Sequence, residues 1–213
     1  ENGSMLDLAD SDPDDPTICQ FELQIVRHAD KLGAMIARHI SKVVRTYARE
    51  FKIVAILGPR QSGKTTLARS LFRRKPYVNL EEPDQRQFAD EDPRAFLARF
   101  PEGAVIDEAQ RCPKVFSYLQ TRVDASKQRG QFVLTGSQQL GLMEAITQTL
   151  AGRVGTVNLL PFSGAELRDA GQAPEDLDEA LFRGGYPPLY DEPPADPVRW
   201  LGAYLHTYVE RDV

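Results

Sequence analysis

The segment Gly58–Thr65, with the sequence GPRQSGKT, constrains this chain more than any other because it fits the pattern G-x-x-x-x-G-K-[ST]. It directly follows Ile53–Leu57, a continuous apolar run that predicts a central parallel strand covered on both faces. The spacing after it predicts a helix over Thr65–Arg74. A strand, a glycine-containing turn and a helix in this order predict a phosphate-binding loop, because backbone N–H groups and the helix N-terminus both face the anion.

The fixed positions of this loop each have a chemical reason. Glycines permit positive φ and a close approach by phosphate oxygens. We expect Lys64 to neutralise the β- and γ-phosphates and Thr65 to ligate magnesium. Arg60 is as well suited to contact phosphate as to face solvent. The sequence thus predicts a site for ATP and Mg²⁺, formed by Gly58, Pro59, Arg60, Gln61, Ser62, Gly63, Lys64, Thr65 and Thr66.

Two acids follow the apolar run Ala104–Ile106, which predicts another strand. Alone, a strand that ends in Asp-Glu fits a solvated turn. Downstream of a phosphate loop, however, an acid at a strand end holds hydrated magnesium, and a second carboxylate polarises the attacking water. We therefore predict that Asp107 is a magnesium-site acid and that Glu108 is the catalytic base.

Polar residues also end the predicted strand Gln131–Thr135. Ligands of open parallel sheets bind at the carboxyl ends of the strands, so we predict Ser137 as a catalytic sensor of the γ-phosphate, with Thr135 as second choice. A polar turn without ligand contact is the alternative. Arg153 precedes the last predicted strand, Val154–Leu160, and is a candidate for a catalytic phosphate contact in its own or a neighbouring chain. An arginine that faces solvent or pairs with an acid is the other interpretation.

The remaining pattern alternates between helices and strands. We predict a strand over Tyr77–Leu80 and helices over Asp92–Arg99 and Val115–Ala125. Apolar residues at helical spacing over Phe21–Glu50 predict one amphipathic helix before the first strand. This alternation predicts an α/β fold of the P-loop NTPase type, with an open, mostly parallel sheet and helices on both faces.

The charge is unevenly distributed along the 213 residues, whose net charge is −5. Residues 1–20 hold six acids and no Lys or Arg, and their composition predicts a flexible acidic arm. Residues 171–197 hold seven acids, one arginine and six prolines, which predicts a connector. Residues 21–170, the predicted ATP-binding domain, have 23 basic and 16 acidic residues and thus a charge of +7, the sign that a triphosphate site requires.

Several classes of protein are disfavoured by composition. No run approaches the roughly 18 apolar residues of a membrane span, and the acidic start lacks a signal-peptide pattern. We therefore expect a cytoplasmic protein. Two cysteines 93 residues apart exclude a disulfide framework and a thiolate zinc site, and the three scattered histidines form no metal-binding pattern in the sequence. The segment Leu23–Asp30 resembles the Arg-His signature of histidine phosphatases, but a P-loop pattern follows it, so we expect His28 to be an ordinary helix residue.

The motifs together resemble the prokaryotic AAA-type ATP-binding family that carries a C-terminal domain of unknown function. The matching segments are GPRQSGKTTL, YVNLEEPD, VIDEAQRCP, LTGSQ and LAGRVGTVNLLPFS. The resemblance covers about residues 35–213 and implies an AAA+-like fold that binds and hydrolyses ATP. Residues 198–213 resemble the helical start of the C-terminal domain, which we expect to be cut short. We therefore predict no catalytic residue in this segment.

Two functions remain open. The first is a Mg²⁺-dependent ATPase that drives or gates a C-terminal effector domain. The second is a non-hydrolysing switch, in which ATP orders the loops and the +7 segment contacts nucleic acid or a protein partner. A nucleotide kinase is disfavoured because the sequence has no Arg-rich lid insertion. An oligomer is compatible with either function.

Overall fold

A computed structural model of the chain describes residues 35–137, 146, 148–191 and 193–209. The described residues from Ala37 onward belong to one compact unit. The expected acidic arm, the first part of the expected N-terminal helix and His28 lie outside the described residues.

Five strands of the described ranges form one sheet in the order β2-β3-β4-β1-β5, and every pairing is parallel. The strands are β1 (Ile53–Gly58), β2 (Tyr77–Asn79), β3 (Val105–Asp107), β4 (Phe132–Ser137) and β5 (Val154–Asn158). The continuous apolar run of β1 therefore lies between two neighbours, as its pattern predicted. The α/β fold with an open parallel sheet is confirmed.

Eight α-helices have both ends within the described part of the chain. They are α1 (Ser41–Glu50), α2 (Lys64–Leu71), α3 (Pro83–Glu91), α4 (Pro93–Ala98), α5 (Lys114–Asp124), α6 (Gly164–Asp169), α7 (Leu177–Arg183) and α8 (Pro197–Tyr204). Short 3₁₀ turns cover Ala109–Arg111 and Pro187–Leu189, and a π-helical turn, Leu205–Val209, follows α8. None of these helices is long and apolar enough to cross a membrane.

The two faces of the sheet pack against different helices. Alternate residues of a strand point to opposite faces. Ile53 and Leu57 of β1 thus join the cluster that contains the aromatic side chains of α4 and α5. Val54 and Ile56 join the cluster that contains the apolar side chains of α1 and α2. Each face buries apolar surface, which holds β1 and the loop after it in a fixed position.

The first described helix is shorter than predicted. α1 begins at Ser41, and residues 35–38 are not helical, so the predicted helix is wrong over 35–40. The physical reason is a tertiary contact, because the Arg38 side chain and the His39 backbone N–H both bind the carboxylate of Glu166, at 3.2 and 2.8 Å. Apolar spacing alone does not reveal that these two residues have a distant partner.

Helix α3 was not predicted from the sequence. Glu82 is extended and Pro83 occupies the first helical turn, where a missing N–H costs no hydrogen bond. The next helix was predicted correctly at its start, because the Asp92 side chain accepts a hydrogen bond from the Ala95 N–H.

Candidate nucleotide site

Three strand ends form the edge of the sheet where the candidate residues lie. Gly58 at the end of β1 pairs in register with Ser137 at the end of β4. On the other side of β4, Ile106 pairs with Leu134, which places Asp107 at the same edge. Residues that lie far apart in sequence are thus brought together because parallel strands end at one edge.

The loop after β1 has the backbone that its sequence predicts. Gly58 has φ +152°, and a Cβ there would collide with the carbonyl oxygen of Leu159. Gly63 has φ +90°, a conformation that L side chains rarely adopt. Gln61 also has a positive φ, +59°, which is uncommon for a residue with a side chain. Pro59 is half-buried, whereas Arg60, Gln61 and Thr66 are exposed.

Two polar side chains of this loop, Ser62 and Lys64, are buried. Lys64 is 5 % exposed, and its Nζ donates to the carbonyl oxygen of Pro59 at 2.8 Å. Burial lowers the pKa of Lys64, although the charges of Glu108 and Asp107 act in the opposite direction. The hydroxyl of Ser62 is fully buried and has no hydrogen-bond partner among the described residues. Both groups are donors, so an anion in the loop would satisfy them.

Asp107 is the centre of a hydrogen-bond network. Thr65 Oγ1 donates to its carboxylate at 2.8 and 3.0 Å, and the hydroxyl of Tyr77 donates at 2.8 Å. Thr135 donates to the same carboxylate from β4. Thr135, the second choice for the γ-phosphate sensor, therefore contacts the predicted magnesium-site acid.

Tyr77 was missed by the sequence reasoning, yet the register explains its position. Tyr77 pairs with Val105, and Asp107 lies two residues further on the same face of β3. Tyr77 as a whole residue is 36 % exposed, but burial of its hydroxyl and the hydrogen bond to Asp107 raise its pKa. The hydroxyl thus keeps its proton at neutral pH and acts as a donor.

Glu108 begins a tight turn beside Ser137. It has φ +52°, a left-handed conformation that turns the chain from β3 into the 3₁₀ turn. Gln110 in that turn donates through Nε2 to Glu108 Oε2 at 2.6 Å and to Ser137 Oγ at 3.1 Å. The predicted base and the predicted sensor are therefore joined by one side chain, which the sequence did not indicate.

The loop is held from behind by Arg38. Its Nη1 donates to the carbonyl oxygen of Ser62 at 2.9 Å, and its Nη2 donates to the carbonyl oxygens of Leu160 and Pro161. Its Nε forms a buried ion pair with Glu166. Burial acts to raise the pKa of Glu166, but hydrogen bonds from the Ser163 and His39 N–H groups and the Arg38 charge outweigh it, so the pKa lies below its ordinary value.

Residues near the end of the chain contact the loop from its other side. Tyr204 donates from its hydroxyl to the carbonyl oxygen of Arg60 at 3.3 Å. Trp200 stacks on Tyr204 with ring centroids 5.1 Å apart, and Tyr186 packs against both rings. The next residue, Pro187, lies beside Gly63. Residues predicted as a connector and as the start of another domain thus pack on the loop.

Arg153 is not brought to this edge. It precedes β5 at the opposite end of the sheet, where its carbonyl oxygen accepts from the Ile53 N–H at 3.0 Å. Its guanidinium forms two hydrogen bonds with Asp124, at 2.7 and 2.8 Å. A contact with a phosphate bound to the same chain is therefore not supported, and a contact with a neighbouring chain stays a prediction.

The donor set fits both expected ligands. The loop itself contains buried donors and a glycine backbone, as triphosphate binding requires. Thr65 and Asp107 offer adjacent hard oxygen atoms, the type that Mg²⁺ prefers, and Mg²⁺ usually takes only one or two protein ligands beside phosphate. The described part of the chain holds no cluster of three or more His, Cys, Asp or Glu side chains suited to a metal.

This fold and this edge define a P-loop nucleotide-binding domain. The model of the AAA domain family matches residues 50–168, and the chain belongs to that family. It is an ATP-binding domain of the AAA type, as the motif order indicated.

Its relatives include two uncharacterized proteins, one from Mycobacterium tuberculosis and one from Mycobacterium bovis. Each is 31 % identical over an alignment of 215 positions that covers 99 % of this chain. The chain spans about half (47 %) of the length of either relative.

Solved structures with a similar arrangement include the Walker-type ATPase PABY2304 of Pyrococcus abyssi and Cdc6p from Pyrobaculum aerophilum. The first has a TM-score of 0.49 and 16 % identity and covers 81 % of this chain and 72 % of its own. The second has a TM-score of 0.37 and 15 % identity and covers 70 % and 48 %.

Proposed function

We propose that this domain hydrolyses ATP in a Mg²⁺-dependent reaction and that the nucleotide controls the position of the C-terminal segment. The observation that carries the first part is the meeting of Lys64, the Thr65–Asp107 pair and Glu108 at one sheet edge. These are the groups that phosphoryl transfer needs, since catalysis rests on positioning and on stabilising charge.

Different residues of the site would bind phosphate, hold the metal and activate water. Lys64 and the Ser62 hydroxyl would donate to phosphate oxygens, while Thr65 and Asp107 would hold the metal. Bound Mg²⁺ supplies positive charge that offsets the charge developing on the phosphates. Glu108 would take a proton from water as the water oxygen bonds to the γ-phosphorus. The bond from that phosphorus to the ADP oxygen breaks, and the products are ADP and inorganic phosphate.

The second part of the proposal rests on the aromatic contact with the loop. Tyr204 binds the carbonyl oxygen of Arg60, and Trp200 stacks on Tyr204. A change in the conformation of the loop on phosphate binding would therefore alter the contacts of α8 directly. This favours a C-terminal segment whose position depends on the bound nucleotide, whether or not a protein or nucleic-acid partner binds to it. We propose that the protein acts in the cytoplasm.

Phosphate release by the purified protein in the presence of ATP and Mg²⁺ tests the reaction. We expect Glu108→Gln to bind ATP and lose turnover, and Lys64→Ala to lose both. Glu102→Gln and Lys127→Ala are matched controls, because both residues are exposed and lie outside the site. Equal ATP content before and after long incubation of the unsubstituted protein with Mg²⁺ would contradict hydrolysis and favour the non-hydrolysing switch.

A further inference from the structure

Gln110 has a hydrogen-bonding pattern that identifies both ends of its amide. One terminal atom lies 2.6 Å from Glu108 Oε2. A carboxylate oxygen only accepts hydrogen bonds, so the atom beside it must be the amide nitrogen. The other terminal atom is therefore the carbonyl oxygen, so the hydrogen-bond partner of one atom identifies both.

That carbonyl oxygen, Oε1, is buried and has no hydrogen-bond partner among the described residues. Buried acceptors in folded proteins nearly always have a donor, from the protein or from bound water. The orphaned acceptor belongs to the same side chain that contacts Glu108 and Ser137. The missing donor is thus expected beside the base.

We propose that Gln110 is a catalytic residue that holds the attacking water together with Glu108. One O–H of that water would donate to Gln110 Oε1 and the other to the Glu108 carboxylate. A buried water needs two or more polar partners, and these two side chains supply them. The proposal rests on the proposed function, because it assigns a residue to the water-activation step.

In the reaction, the oxygen and the two protons of this water go to different places. Its oxygen bonds to the γ-phosphorus, and the bond from that phosphorus to the leaving ADP oxygen breaks. The proton facing Glu108 moves to the carboxylate. The proton facing Gln110 stays on the oxygen that becomes part of inorganic phosphate.

The amide nitrogen gives the same side chain a second task. It donates to Glu108 and to Ser137 Oγ. Because Ser137 Oγ is the acceptor, its own hydroxyl proton is not used in the hydrogen bond with Gln110. The base and the sensor strand β4 are therefore tied in one orientation. Loss of this tie would misplace the water without removing any group that binds the triphosphate.

Gln110→Met tests the proposal, because methionine has a similar length and no amide. We expect kcat to fall at least about tenfold, while KM and the Kd of a fluorescent ATP analogue stay within about twofold. Gln110→Glu, which removes the amide donors, should also lower kcat, so the result does not depend on one replacement. Gln87→Met is the matched control, since Gln87 Nε2 also donates to a carboxylate, that of Glu91, at 2.8 Å on the exposed surface of α3.

A double substitution separates catalysis from a structural defect. In single-turnover measurements, Gln110→Met should have little further effect in a Glu108→Gln background, because the water-activation step is already lost. Turnover that survives Gln110→Met, or rises, overturns the role of Gln110 while ATP hydrolysis stands. A loss of ATP affinity in Gln110→Met as large as its loss of kcat also overturns this role. A fall in melting temperature that accounts for the lost turnover does so too. Absence of turnover in the unsubstituted protein overturns the proposed function and this assignment together.

Discussion

Arg38 and Glu166 form an ion pair behind the phosphate loop, although 128 residues separate them in sequence. Their side chains are 9 % and 6 % exposed. The same arginine donates to the Ser62 carbonyl oxygen at 2.9 Å. The pair therefore connects the start of the compact unit, the loop and helix α6.

Glu166→Gln should lower the free energy of unfolding by about 3 kcal/mol, because it leaves the buried Arg38 charge without its partner. Glu81→Gln is the matched control. Its carboxylate also lies 3.2 Å from an arginine, Arg111, but the two side chains are 59 % and 37 % exposed. An exposed pair of this kind contributes about 0–1 kcal/mol. Chemical denaturation measures both values, and equal losses would contradict the importance of burial.

The contribution of Glu166 should also depend on pH. Its pKa in the folded protein lies below the ordinary glutamate value, so the folded state favours the charged form. This stabilisation is complete above the unfolded pKa of about 4.3 and is lost as the pH falls through the folded pKa. The stability difference between the unsubstituted protein and Glu166→Gln should therefore be constant near neutrality and shrink in acid. A difference that grows in acid would contradict this sign.

Thr65→Val should raise the Mg²⁺ concentration needed for half-maximal activity by about tenfold or more. Valine has the shape of threonine but no oxygen, so it removes a predicted ligand and the hydrogen bond to Asp107. Thr65→Ser keeps the oxygen and should remain close to the unsubstituted protein. Titration of ATPase activity with Mg²⁺ distinguishes these results, and an unchanged Mg²⁺ requirement in Thr65→Val would contradict the assignment.

Trp200 is the single tryptophan of the chain, so its fluorescence reports on one place. Because it stacks on Tyr204, whose hydroxyl binds the Arg60 carbonyl oxygen, we expect ATP with Mg²⁺ to change its emission. Tyr204→Phe should reduce this change, whereas Tyr118→Phe, at an exposed tyrosine of α5, should not. Saturating ATP without any change in emission would contradict coupling between the loop and α8.

Arg153→Ala should leave the Kd for ATP of the isolated chain unchanged. The guanidinium pairs with Asp124 at the edge opposite the phosphate loop, away from the described residues of the nucleotide site in its own chain. Equilibrium binding of a fluorescent ATP analogue at low protein concentration measures this. A clear loss of affinity there would show that the arginine acts on its own nucleotide.

The fold and the strand-end residues were predictable because their signals are local. The apolar run of β1, the glycine pattern after it and the acids after β3 each lie within a few residues. Tyr77 and Arg38 were not predictable, since each contacts the site through strand register or through a partner more than 20 residues away. Gln110 stands two residues from Glu108, but its link to Ser137 depends on how the turn after β3 meets β4.

The phosphate loop is supported from both ends of the compact unit. Arg38 binds the carbonyl oxygen of Ser62, and Tyr204 binds that of Arg60, yet both lie outside the residues 50–168 that match the family. During synthesis the loop and its helix leave the ribosome long before Tyr204 does. A nascent chain can therefore assemble the sheet early, but it completes the loop's surroundings only once α8 has been made.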